Sequence, residues 1–308
     1  MSGSLAYSKG VVYVGTEARA ARVRSFDLDG RDLEVDFTFT GESGRAASAL
    51  GVDLDEDHRL WVADGVGERL LAFTLFGDRV AGVEAAAGRV RDKRGVLGRA
   101  VDVVSRGSDD AQELLVASSG RRRHAVQLLP LGGGAPQSLR SGGHVDVPFR
   151  DVRGIAWHER FAWVCEREAG RVQVFRDLDY HFEFRVQPAG GARFRPNAIQ
   201  PLPDGRLLLA QGGAASALLL LDSRGRLLSV LAGHGEDEGA LIEPNDVAVA
   251  PGEDDRHTRV IVIDGEGARI QVFNLEGDCY GTFPGFARSV ASWEPTESTQ
   301  PIPTDTDL

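Results

Sequence analysis

The sequence predicts an all-β chain folded as a six-bladed β-propeller of four-stranded blades. Three observations carry that prediction. One unit recurs: an alternating strand, a turn, a strand ending in a small and a polar residue, a short loop, another strand and a "DG"-like turn. Measured at Val14, Val62, Val116, Val164, Leu209 and Val262, successive copies lie 48, 54, 48, 45 and 53 residues apart. That spacing accommodates four short strands and their turns. Finally, the first copy lacks a leading strand, while the end of the chain supplies one with nothing after it.

In order, the first copy, "GVVYVGTEARAARVRSFDLDGRDLEVDFTF", provides second, third and fourth strands. Five fuller copies start near Leu50, Arg99, Arg153, Asn197 and Asn245. The last strand, "RSVASW" (Arg288–Trp293, within about 287–293), is expected to pair with the N-terminal blade. Pairing there closes the ring and removes an open edge. A two-sheet sandwich or a solenoid also uses regularly spaced short strands, but the split blade argues against both. The propeller domain is thus read as residues 1–293, followed by an acidic, Pro/Thr-rich tail, 294–308.

Composition agrees with a folded domain: 42% hydrophobic and 26% charged residues can bury a core. The longest apolar candidate, "ALLLL" (Ala217–Leu221), suits a buried strand and is too short to span a bilayer. The chain starts without a signal-peptide pattern and contains two cysteines, Cys165 and Cys279, which predicts a reduced, cytoplasmic protein. A net charge of −11 disfavours nonspecific attraction to nucleic acid or anionic lipid.

Stacking the first strands gives a β-branched core column of Val52, Val101, Ile155, Ile199, Val247 and Val290. Two residues earlier come Leu50, Arg99, Arg153, Asn197, Asn245 and Arg288, which should gather near one mouth of the central channel. Guanidiniums and amides there could hold a carboxylate or phosphate, or serve the neighbouring carbonyls. The intervening column is small except for Asp246.

Four segments, "WVAD" with "RLLAF", "RVQVF", and "VIVIDGEGARIQVFNLEG", resemble the NHL-repeat family over residues 10–293. The third and fifth copies lack "RIQVF". The resemblance implies a six-bladed propeller and a binding or scaffold role without catalysis. Asn197, Asn245 and Asp246 are also similar to part of the ligand set of gluconolactonase-type propellers. Those enzymes hold a divalent cation, such as calcium, that polarises a lactone carbonyl. This chain lacks their "EGP"-like segment, and arginines at the mouth would oppose a cation. Zincin, nucleophile-elbow and Walker patterns do not occur. "DLDEDHR" starts like a calcium loop but carries His58 where Gly is required, so it reads as a hairpin loop.

Sorting loops by propeller face separates the charges. The face bearing blade-joining loops receives Arg89, Arg91, Lys93, Arg94 and Arg99 from one loop and Arg121, Arg122 and Arg123 from another, near Arg150 and Arg153, and Arg288 is counted with them as a partner-binding residue. Across the ring lie Glu236, Asp237 and Glu238. This basic sector is the expected docking surface for an anionic protein segment. Single-stranded RNA is the other candidate, although no aromatic stacking platform accompanies the arginines.

Overall fold

The computed structural model describes residues 3–16, 21–39, 48–80, 91–92, 95–96, 99–108, 111–119, 124–144, 147–265 and 268–283. Blade 1 comprises β1 (Gly3–Ser8), β2 (Val11–Thr16), β3 (Ala21–Asp27) and β4 (Asp32–Phe39). Blade 2 has, among the described residues, β5 (Ala49–Leu54), β6 (Leu60–Asp64) and β7 (Arg69–Phe73), with an isolated antiparallel bridge between Phe73 and Arg79 on its outer side. A small hairpin, β8 (Arg91–Asp92) with β9 (Gly95–Val96), follows. Blade 3 comprises β10 (Arg99–Arg106), β11 (Glu113–Ser119), β12 (His124–Pro130) and β13 (Gln137–Ser138). Blade 4 has β14 (Val152–His158), β15 (Phe161–Glu166), β16 (Arg171–Arg176) and β17 (Asp179–Phe184). Blade 5 runs through β18 (Pro196–Pro201), β19 (Leu207–Gln211), β20 (Ala217–Leu221) and β21 (Leu227–Ala232). Blade 6 ends the described chain with β22 (Pro244–Ala250), β23 (Arg259–Asp264), β24 (Arg269–Phe273) and β25 (Cys279–Thr282).

Each blade is an antiparallel meander, and its first strand touches the first strands of both neighbours, with β1 between β5 and β22. The six blades therefore form a closed ring. The predicted manner of closure is corrected. β1 occupies the innermost position of blade 1 and pairs with β2 from Gly3–Thr16 to Ser8–Val11, so that blade is built entirely from the N-terminal end. The segment expected there, Arg288–Trp293, lies outside the described residues. "GSLAYS" and "RSVASW" carry comparably short apolar patterns, so alternation alone does not choose between them for the inner strand.

Closure rests on side chains. Buried residues form clusters at all six blade interfaces. At the junction of last and first blades, Leu5, Val12, Val14 and Phe26 pack against Ile261, Ile263, Ile270, Val272 and Phe283. This β-branched and aromatic packing between pleated faces supplies the area that holds neighbouring blades.

Three blades repeat one polar device, which explains the "VAD…R" pattern. Asp64 accepts the Ser48 and Gly67 N–H groups and pairs with Arg69 at 2.9 Å. Glu166 accepts the Arg150 N–H and pairs with Arg171 at 2.5 Å. Asp264 accepts the Ile242 and Glu243 N–H groups and pairs with Arg269 at 3.2 Å. Each acid is fully buried and ties the end of a second strand to the loop entering the first strand of the same blade. The "DLDEDHR" loop is a hairpin, as expected: Asp55 accepts from the Arg59 backbone, the Arg59 guanidinium, the Trp61 indole and the Gln112 amide. Its carboxylate is thereby committed to protein donors.

Close approach near the axis explains the small residues of the first strands. A Cβ on Gly154 would lie 2.5 Å from the Asn197 carbonyl oxygen and 2.9 Å from Ala198 Cα, both backbone atoms of the next blade. Gly154→Ala is therefore expected to destabilise the protein by about 2 kcal/mol or more through overpacking, read as a lowered urea midpoint at unchanged m-value.

Candidate functional site

One mouth of the channel opens into a cavity of about 260 Å³ on the face where the first strands enter. The strand registers show how the sequence builds it. Val52, Ile155, Ile199 and Val247 pair with Val62, Val164, Leu209 and Val262, as the repeat alignment requires. In blade 3, however, Val103 rather than Val101 faces Val116, and in blade 1 Leu5 faces Val14. The expected columns are thus corrected by two residues in blade 3. Alternation has a period of two, so a shift of two leaves the pattern of faces unchanged and invisible in the sequence.

With that correction, the ring-lining column is Gly3, Leu50, Val101, Arg153, Asn197 and Asn245, and all six line the cavity. Leu50, Val101, Arg153, Asn197 and Asn245 sit at register shifts, where a bulge turns the strand as it enters the ring. Arg99 also lines the cavity, two residues before its predicted place in the column. One step deeper along the strands come Ser4, Gly51, Asp102, Gly154, Ala198 and Asp246. Asp246 therefore has a counterpart in Asp102, which the sequence alignment had concealed. Blades 3 and 6 are opposite members of the ring, so the two carboxylates face each other across the channel.

Both carboxylates join blades. Asp246 Oδ2 accepts from the Ser4 hydroxyl and the Leu5 N–H, each at 2.8 Å, while Oδ1 accepts the Val247 N–H. Ser4 Oγ in turn accepts the Val52 N–H, so one residue of blade 6 is linked through blade 1 to blade 2. Asp102 Oδ2 accepts the Ile155 N–H of blade 4 at 2.8 Å, and Oδ1 accepts the Val103 N–H. Asp53 does the same further along its strand, accepting from the Ser105 N–H and hydroxyl at 2.6 Å. Burial pushes Asp53 and Asp246 up to about 6, against the hydrogen bonds they receive. Burial, and then the nearby charge of Asp246, raise Asp102 well above its ordinary value.

The rim is a charge network. Arg153, with 48% of its side chain exposed, meets Asp151 through Nε at 2.9 Å. Arg167 pairs with Glu243 at 2.9 Å and donates to Asn197 Oδ1, while Asn197 Nδ2 donates to Glu243 and to the Pro244 carbonyl. The two "PN" motifs are thus joined across blades 5 and 6. Glu243 and Arg167 escaped the sequence reading because they belong to loops whose place at the mouth depends on the ring.

Two catalytic arrangements can be judged from these bonds. The set Asn197, Asn245 and Asp246 suits a divalent cation poorly: Asn197 Oδ1 faces a guanidinium, and Asp246 already accepts three donors. Among the described residues no group of three or more His, Cys, Asp or Glu side chains could hold a metal. Ser119, His124 and Asp151 also line the cavity. But His124 Nδ1 accepts the Val152 N–H, which makes Nε2 the protonated nitrogen, and Asp151 is paired with Arg153. The base of a serine triad is therefore missing.

Most of the predicted basic surface, Arg89, Lys93, Arg94, Arg121, Arg122, Arg123 and Arg288, lies outside the described residues. Arg91 contributes backbone to the β8–β9 hairpin. Arg99 and Arg153 come together at the cavity.

Fold and site define a closed six-bladed propeller with a polar axial cavity. No protein-family model matches the chain, and no curated protein matches it in sequence. Solved structures match its fold. A chain of a nidogen/laminin complex aligns with a TM-score of 0.60 at 14% identity, covering 89% of this chain and 93% of its own. A Bacteroides caccae protein of unknown function aligns with a TM-score of 0.57 at 14% identity, over 88% and 92%. A streptogramin B lyase aligns with a TM-score of 0.51 at 12% identity, over 75% and 66%. At such identities the likeness concerns the fold, which hosts both binding and catalysis in different proteins.

Proposed function

We propose that this chain is a noncatalytic binding propeller that docks an anionic segment of a protein partner on the arginines at the rim of the channel mouth, above the Asp102 and Asp246 carboxylates. The observation that carries this reading is the cavity itself: it is rimmed by Arg99, Arg153 and Arg167, and its titratable groups are tied into ion pairs and backbone hydrogen bonds rather than into a nucleophile–base pair. Arg153 is the residue best suited to receive the partner. Asp151 engages its Nε, leaving the terminal nitrogens of a half-exposed guanidinium for a bidentate carboxylate contact. The sequence expectation of a basic surface at Arg89, Lys93, Arg94, Arg121, Arg122 and Arg123 has the same sign of charge. The nidogen/laminin match adds that a propeller of this shape occurs in a protein complex.

The test is affinity purification from the native host with wild-type protein and Arg153→Glu side by side, at low and high salt. A partner retained by wild type, released by salt and reduced at least tenfold by Arg153→Glu is the expected result. Identical capture by both proteins would overturn the assignment. Recovery of RNA in place of protein, abolished by replacing Arg121, Arg122 and Arg123 with Ala, would transfer the surface to the other partner class.

A further inference from the structure

We infer that the axial cavity binds a small zwitterion, its carboxylate held by the arginines of the rim and its primary ammonium seated between Asp102 and Asp246. The cavity carries opposite charges at its two ends. Arg99 and Arg153 line it toward the mouth, whereas Asp102 and Asp246 line it deeper along the strands, on blades 3 and 6 at opposite sides of the ring. Its volume of about 260 Å³ lies just below the range of about 300–1,000 Å³ for sites that take drug-sized ligands, which suits a molecule of amino-acid size.

Among the described residues the two acids have no cationic partner. Every donor that reaches them there is neutral: the Val103 and Ile155 N–H groups for Asp102, and the Ser4 hydroxyl with the Leu5 and Val247 N–H groups for Asp246. Both acids nonetheless keep accessible surface and line the cavity. Carboxylates withdrawn from bulk water are ordinarily paired with a cation, so two of them facing each other across an open space leave a place for a positive charge. Hydrogen-bond capacity defines the chemistry of that charge. An ionised carboxylate offers about four acceptor positions. Two are occupied at Asp102 and three at Asp246, so about three remain, which matches the three donors of a primary ammonium. A divalent cation would ask for more oxygens than that.

The rim adds the second charge. A simple amine would have to pass Arg99 and Arg153, whose guanidiniums repel it, whereas a ligand with its own carboxylate is drawn to them. Asp151 engages Arg153 through Nε at 2.9 Å, which leaves the terminal nitrogens for a two-point contact with a carboxylate. Asp151 stands three residues before Gly154, which shares the layer of the two acids, so the opposite charges lie on the order of 10 Å apart along the axis. A hydrogen bond at each end takes up about 3 Å, and the ligand's own charges are therefore several bonds apart, as in an ω-amino acid. This ligand shares the rim arginines with the docking surface proposed above but requires no protein partner.

Isothermal titration calorimetry of the purified full chain at mildly alkaline pH tests this. The probes are the ω-amino acid series from glycine to ε-aminocaproate, with butyrate and butylammonium as single-charge controls. Saturable single-site binding is expected for γ-aminobutyrate or a longer member, at least tenfold tighter than for either control. Asp102→Asn, checked for a wild-type circular dichroism spectrum, should weaken that binding at least tenfold, and so should Arg153→Ala at the half-exposed rim. Absence of binding throughout the series, equal affinity for a single-charge control, or unchanged affinity in either variant would overturn the assignment. Failure here leaves partner capture at the rim standing, and failure to capture a partner leaves the calorimetry unaffected.

Discussion

Asp246→Ala is expected to lower the unfolding free energy by about 3 kcal/mol, with amide exchange in β1 accelerating before that of the other inner strands. The carboxylate is the acceptor for Ser4 Oγ, Leu5 N–H and Val247 N–H, and Ala would leave all three without it. A buried donor left unsatisfied costs about 1–3 kcal/mol, and part of the sum returns when the charge is no longer buried beside Asp102. Ser4→Ala removes one arm of the same junction and the acceptor of Val52 N–H, for about 1 kcal/mol. Urea unfolding at neutral pH provides both values. A loss below about 1 kcal/mol for Asp246→Ala, or uniform acceleration of exchange around the ring, would show that apolar packing closes the ring without this staple.

The second large effect is a fall in stability as pH rises from about 4 to 7. Asp53 and Asp246 stand at about 6 in the folded protein, and Asp102 is raised as well. Between the ordinary carboxylate value and about 6, the folded state keeps protons that the unfolded chain has released. The stability these groups contribute is therefore fully present below about pH 4 and lost as pH climbs through their folded values. For Asp246 the shift of about two units corresponds to about 3 kcal/mol. Asp55, held below its ordinary value by its donors against its burial, works in the opposite direction at more acid pH, and His124, lowered by burial, gains stability as pH rises through this window and offsets part of the fall.

Asp102→Asn measures the share of that group. It removes one raised carboxyl, so the slope of unfolding free energy against pH should flatten even though the amide imposes a constant cost at the Ile155 and Val103 N–H groups. An unchanged slope would mean that Asp102 does not titrate in this window.

Much of the architecture could be read from the sequence because it is written in repeated, local signals. The alternating strands, the "VAD…R" buried acid with its arginine, and the "DG" turns each recur in several blades, and each works within its own blade. The site was harder to read for two physical reasons. A two-residue slip in an alternating strand preserves its inside and outside faces, so Asp102 passed for an ordinary residue while Arg99 took its neighbour's place in the column. The rim side chains Glu243 and Arg167 carry no local signature, since they come together through the curvature of the whole ring.

By itself the sequence determined the number of blades, their order and their cores, because burial of alternating apolar residues is a local demand repeated six times. Tertiary structure decided how the ring closes and what faces the axis. β1 rather than the C-terminal segment fills the inner place of blade 1, and Asp246 forms a junction between last blade and first. Closure and axial geometry depend on contacts some 240 residues apart, and no local pattern encodes a partner at that distance.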